Sequence, residues 1–222
     1  MVITIDGPAG AGKSSVSKQI AEILGIKFLD TGAIYRAIAL ILHEAEIQPE
    51  ENILLREALL KIKIKILGKK VYVNDFDVSS EIRTPKVDKL ASVYSALKPV
   101  RESLLELQRE QENYGSLIAE GRDVGSVVFP NSDLKIYLTA SPEARAKRRY
   151  DERISKGMTA DYEKILLDIK TRDEYDSQRE VSPLKIPDGA IILDTSDMTE
   201  QQVIDKILGF VHDRGLQKIE AE

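Results

Sequence analysis

The chain has 222 residues, no cysteine and a formal net charge of −5. The lack of cysteine excludes a disulfide framework and thiolate chemistry. The acidic balance argues against a general nucleic-acid binder, which is usually basic. No apolar run reaches the length of a membrane span, and no basic segment with an apolar core precedes the first strand. The expectation is a cytoplasmic monomer with small-molecule partners, no nucleic acid and no membrane.

Residues 2–6 alternate as a buried strand, and the chain then runs Gly7-Pro8-Ala9-Gly10-Ala11-Gly12-Lys13-Ser14-Ser15 into a helical pattern. Gly, four residues, Gly-Lys and a hydroxyl residue between a strand and a helix form a phosphate-binding loop. Its glycines bring backbone N–H groups close to an anion, and the helix N-terminus adds to the attraction. Lys13 reaches the β- and γ-phosphates, and the Ser14 hydroxyl is the candidate Mg²⁺ ligand. The loop predicts a bound nucleoside triphosphate.

The first helix is expected over residues 13–24, with Gly25 at its C-terminal cap. A second strand at 26–30 precedes a helix starting after Gly32, with Ile34, Ile38, Ile41 and Leu42 on one face. From about 48 to 110 the pattern changes. Ile62, Ile64 and Ile66 alternate with Lys61, Lys63 and Lys65, which reads as a half-exposed strand with a solvated lysine face. A turn at Gly68-Lys69 returns the chain through Val71-Tyr72-Val73, and Asn74-Asp75 offers a further turn. This is the signature of a small antiparallel insertion. A helical stretch over 88–111 breaks near Pro99.

Strands follow at 116–120, 134–139 and 190–194. Helices separate the five apolar runs, so the fold class is α/β, with a five-stranded parallel sheet flanked by helices. Ligands in such sheets sit at the C-terminal strand ends. Those ends carry Asp6, Asp30, Glu120 and Asp194, with Thr31, Tyr35, Arg36, Arg122 and Asp123 just beyond. Ser141-Pro142-Glu143 opens another helix, which carries Arg145, Arg148 and Arg149 on one face. Arg172, Asp176 and Arg179 repeat the theme on the next helix. Residues 145–180 thus read as an arginine-rich lid over a polyphosphate, against the alternative of a solvated face. The last helix starts near Thr199 and stops at Gly215, and the tail 216–222 is expected to fray.

The two histidines, His43 and His212, fall in helical patterns and are read as structural or exposed. An alcohol acceptor needs a proton-accepting group, whereas a phosphate acceptor is already anionic at pH 7. Surplus arginine without a base points to a phosphate acceptor and a nucleoside monophosphate.

Four stretches carry a family resemblance: residues 7–15; Leu29-Asp30-Thr31-Gly32-Ala33-Ile34-Tyr35-Arg36; Glu120-Gly121-Arg122-Asp123-Val124-Gly125-Ser126-Val127-Val128-Phe129-Pro130; and Arg172-Asp173-x-x-Asp176-x-x-Arg179 with Ser182-Pro183-Leu184. In this order they resemble bacterial cytidylate kinases, within the phosphate-loop nucleoside monophosphate kinases. The resemblance implies one kinase domain over 1–222, with an enlarged monophosphate-binding subdomain at about 48–110. It implies transfer of phosphate from Mg-ATP to CMP or dCMP. Lys13, Arg122, Arg172 and Arg179 would be catalytic, and residues 7–15 with Arg148 and Arg149 would hold ATP. Arg36 and Arg122 would hold the acceptor phosphate, with Thr31 and Tyr35 beside them. Ser92, Arg101 and Asp123 would read the cytosine edge, and Arg172, Asp176 and Arg179 would contact sugar and phosphates.

Overall fold

The computed structural model describes residues 1–68 and 70–216. In chain order its elements are β1 (Val2–Asp6), α1 (Lys13–Leu24), β2 (Lys27–Asp30), α2 (Thr31–Glu44), α3 (Ile53–Lys61), β3 (Ile64–Leu67), β4 (Lys70–Val73) and β5 (Phe76–Asp77). They continue as α4 (Pro85–Tyr94), α5 (Lys98–Arg109), β6 (Leu117–Gly121), β7 (Leu134–Thr139), α6 (Pro142–Ser155), α7 (Tyr162–Ser177), β8 (Ile191–Asp194) and α8 (Glu200–Asp213). The chain forms two compact units, one of Met1–Leu29 with the chain from Gly115 onward, the other of Asp30–Tyr114.

The first unit is built on a parallel sheet in the order β2-β6-β1-β7-β8. The predicted strands are all present, with ends moved by at most a residue. β1 lies at the centre, where Ile3 pairs with Ile118 of β6 and with Leu134 of β7. The chain turns to opposite sides of β1 before and after β6, so the switch point that favours ligand binding lies at the C-terminal end of β1. Ile3, Ile5, Ile118, Leu134, Ile136 and Leu138 from the strands pack with Val16 and Ile20 of α1 and with Ile204 and Ile207 of α8. Each such side chain contributes about 1.5–3 kcal/mol by leaving water.

β1 runs straight into the phosphate loop at Gly7. A Cβ at Gly7 would fall on the carbonyl oxygen of Leu138, and its φ of +146° is open to glycine alone. Helix α1 occupies the predicted bounds and ends at Gly25 in the left-handed conformation, whose N–H reaches Ala21 and Glu22. Ser141 caps α6 by accepting from Ala144 N, with Pro142 in the first turn. Asp161 caps α7, which starts at Tyr162. These two helices share a small core of Ala146, Ile165 and Ile169. The ion pair Lys170–Glu143 at 3.0 Å adds to it. Thr199 and Gln202 form a reciprocal capping box at α8. Among the described residues no helix is long and apolar enough to cross a membrane.

In the second unit, α2 begins at Thr31 rather than after Gly32. The reason is Asp30, which accepts from Ala33 N at 2.8 Å and caps the helix. The lysine-isoleucine alternation forms β3, which pairs antiparallel with β4. Lys63 and Lys65 are exposed while Ile62, Ile64 and Ile66 are half-buried, as a solvated face requires. Asn74 and Asp75 both take positive φ and turn the chain into β5, a third strand that pairs Phe76 with Val73. The predicted turn residue Lys69 lies outside the described residues, as does the expected frayed tail beyond Leu216. The helical stretch after 84 breaks between Tyr94 and Lys98, which leaves Pro99 in the first turn of α5, where its missing N–H costs no helix hydrogen bond, as it would in a helix interior.

Candidate active site

Helix α1 has Gly12 at its N-cap and no side chain closing its first amides. Side chains cap α2, α3, α4, α6, α7 and α8. The open amides of α1 follow the loop, in the position where a helix start attracts an anion. Lys13 is buried, and its Nζ donates to Pro8 O at 2.8 Å. Burial, and then the nearby Arg122 guanidinium, lower its pKa to about 7, while Glu120 and Asp6 pull the other way. The Ser14 hydroxyl donates to a carboxylate oxygen of Glu120 at the end of β6. Glu120 is a member of the site that strand-end position signals and the resemblance leaves without a role.

Asp176 lies on α7 and is 1% exposed. Arg122 Nε donates to its Oδ2 at 3.2 Å, and Arg172 Nε stands 3.9 Å from the same oxygen. Arg179 Nη2 lies 2.5 Å from Oδ1, an ion pair out of line for a hydrogen bond, since that oxygen has no hydrogen-bond partner. Three of the predicted phosphate-binding arginines are thus drawn together by one buried carboxylate. The Arg172–Asp176 contact, four residues apart on α7, is one part of this shared cluster.

The arginine face predicted on α6 divides. Arg145 is 3% exposed. Its Nε donates to Ala140 O at 2.9 Å and its Nη1 to Ala9 O at 3.0 Å. Both of its Nη atoms also bind Asp173. It therefore clamps the phosphate loop to α7 from inside, and does not join a surface aimed at a polyphosphate. The helical spacing is right, but the start of α6 rests against the loop, which puts Arg145 in the interior. Arg148 holds the turn after β8 through the backbone oxygen and hydroxyl of Thr195. Arg149 is half-buried.

Asp123 is buried and opens a short π-helical turn, Val124–Val128. This turn is fastened by Asp6, whose two oxygens accept from Val124 N and Gly125 N, each at 2.7 Å. In the second unit, Thr31 is buried at the start of α2. Arg36 pairs with Asp30 at 3.1 Å and with Asp88 at 3.7 Å, and Arg83 joins Asp30 at 2.9 Å. Arg101 is buried, donates to Ser95 O at 2.9 Å and lies 5.0 Å over the Tyr35 ring. The carbonyl oxygen of Ser92 accepts from Ser95 Oγ. A cavity lined by Ile38, Leu59, Ile62, Ile64, Ser103, Leu104 and Leu107 contains none of the candidate residues.

The family model described as cytidylate kinase matches residues 3–213. The chain belongs to the cytidylate kinase family. A cytidylate kinase of Fervidobacterium nodosum is 47% identical over 213 residues, covering 96% of each chain. One of Caldanaerobacter subterraneus is 45% identical over 205 residues, covering 92% of each, and one of Mycobacterium leprae 44% identical over 215 residues, covering 96% of each. Among solved structures, an uncharacterized protein of Eubacterium ventriosum matches with a TM-score of 0.53 at 13% identity, covering 96% of this chain and 98% of that one. A protein of Thermus thermophilus matches with a TM-score of 0.50 at 16% identity, covering 96% of both. At that identity these two speak for the fold alone. In this cytidylate kinase family chain the phosphate loop, the Arg122-Asp123 turn, Arg172 of α7 and Arg179, which lies just past the end of α7 and not on it as expected, all belong to one compact unit.

Proposed function

We propose that the protein transfers the γ-phosphoryl group of ATP to CMP or dCMP, giving ADP and the nucleoside diphosphate, in cytoplasmic pyrimidine nucleotide metabolism. The observation that carries the proposal is the arrangement of Lys13, Arg122, Arg172 and Arg179, four cationic groups of one unit held together by the loop and Asp176. Phosphoryl transfer is mostly positioning and charge neutralisation, and this set supplies both. A phosphate oxygen of the acceptor attacks the γ-phosphorus as the bond to the oxygen bridging to ADP breaks. The acceptor is already anionic, so no side chain has to remove a proton.

The loop amides and Lys13 are assigned to the donor phosphates. Arg122, Arg172 and Arg179 take the charge that spreads over the transferring group, and Asp176 aligns them and contacts the sugar. Thr31, Tyr35 and Arg36 are assigned to the acceptor phosphate, and Ser92 and Arg101 to the base. Asp123 accepts from the cytosine amino group; uracil offers a carbonyl there and would leave two acceptors opposed. Arg148 and Arg149 serve the donor end of the lid. The Ser14 hydroxyl and the Glu120 carboxylate, which meet in a hydrogen bond, are oxygen donors of the kind Mg²⁺ takes and would hold it, and the bound ion would supply charge neutralisation.

An ADP-release assay across CMP, dCMP, UMP, AMP and a sugar alcohol tests the activity. Turnover of UMP or AMP as fast as CMP would contradict the acceptor assignment. In Asp123→Ala, the kcat/KM for CMP is expected to drop by about 10²-fold or more, while that for UMP changes little. Unchanged CMP kinetics in that variant would remove Asp123 from base reading.

A further inference from the structure

Asp6 is the last residue of β1 and directly precedes Gly7 of the phosphate loop. It is wholly buried, and nothing in the reaction described above uses it. Its two carboxylate oxygens each take one of the two consecutive amides, Val124 and Gly125, at 2.7 Å. Those are the first amides after Arg122-Asp123. The site is built closely around this contact. A Cβ on Gly125 would stand 2.7 Å from Thr4 Oγ1 and 3.0 Å from Asp6 Oδ2. The turn that follows is π-helical and closes with Phe129 N donating to Val124 O at 2.7 Å. Such turns are rare and concentrate at functional sites.

A buried carboxylate is an expensive way to fill space, since an apolar side chain of similar volume is often as stable or more so. What a carboxylate offers is a pair of fixed acceptors. We infer that Asp6 is a positioning residue for base selection: by holding the Val124 and Gly125 amides, it fixes the direction of the Asp123 carboxylate that discriminates cytosine from uracil. In the chain the same residue directly precedes the phosphate loop. The inference rests on the assignment of Asp123 to the base.

The test is the ratio of kcat/KM for CMP to that for UMP in the wild-type protein, Asp6→Asn, Gly125→Ala and Asp123→Ala, with a melting temperature for each. In Asp6→Asn one amide keeps an acceptor while the other meets an NH₂ group. The ratio is expected to fall about tenfold, the weight of one charge-assisted hydrogen bond, through KM for CMP. Gly125→Ala keeps the charge and displaces the same turn, so the ratio falls there too; it carries the test if Asp6→Asn does not fold. A purely structural Asp6 would lower the melting temperature and leave the ratio intact. That result, alongside a collapsed ratio in Asp123→Ala, would overturn the inference and spare the base assignment. An intact ratio in Asp123→Ala would overturn both.

Discussion

Replacing Arg145 with methionine isolates the clamp between the phosphate loop and α7. Methionine keeps an unbranched stem beside Gly10, against which the Cβ, Cγ and Cδ of Arg145 lie. It removes the guanidinium and with it the donors to Ala9 O and Ala140 O and the two contacts to Asp173. Breaking a buried pair by deleting one partner costs about 3–5 kcal/mol. Asp173 is 23% exposed, so water recovers part of that, and about 3 kcal/mol is the working figure. For a chain of this size about 1 kcal/mol moves the melting temperature by roughly 2–4 °C, which places the variant roughly 6–12 °C below wild type. Thermal and urea unfolding read this directly. The double variant with Asp173→Asn closes a mutant cycle, and a coupling of about 1 kcal/mol or more is expected. Because Ala9 belongs to the loop, KM for ATP rises while KM for CMP moves less. A melting temperature within a degree or two of wild type, or a coupling near zero, would show that the pair is incidental.

Two further outcomes follow from the loop itself. Lys13 in the free protein has its pKa lowered to about 7 by burial and by Arg122, and a bound polyphosphate restores the ammonium form. Binding therefore takes up a proton above that pH, and the Kd for ATP rises with pH by up to about tenfold per unit. Calorimetry at pH 8 in buffers of different ionisation enthalpy measures this uptake, and a value of zero would contradict it. Gly7→Ala would drive a methyl group onto Leu138 O in a backbone conformation closed to alanine. Neither atom can yield without moving the sheet, so ATP binding is expected to be lost, and an ATP affinity within threefold of wild type would refute the account.

The parts of the fold that depend on local chemistry could be read from the chain. The loop motif with its flanking strand and helix located β1 and α1, and Ser141-Pro142 located the start of α6. What could not be read depends on non-local packing. Nothing in the sequence places β6 between β2 and β1. The spacing of Arg145, Arg148 and Arg149 is the same whether the face points to solvent, to a ligand or inward. Only the docking of α6 against the loop settles that Arg145 points inward. Asp30 is a different case: an aspartate two residues before Gly32 is a readable N-cap, and the same residue also ends a strand, so one position serves both roles. Glu120 carried the right signal, an acid at a strand end, but its partner Ser14 is distant in sequence. The short β5 follows from the two positive-φ residues Asn74 and Asp75, which sequence marks only as a turn.

The pair α6–α7 is joined by Ala146, Ile165 and Ile169, with Tyr150, Tyr162 and Leu166 packed against them, and by the ion pairs Arg145–Asp173 and Lys170–Glu143, a smaller core than the one under the sheet. A segment with so little buried apolar surface sits at the low end of local stability, and any anion that engages its arginines supplies the missing stabilisation by mass action. The abundance of nucleotide around the protein then governs more than its catalytic rate. The stretch is expected to be cut by a protease faster without nucleotide than with it, which limited proteolysis with and without ATP would measure.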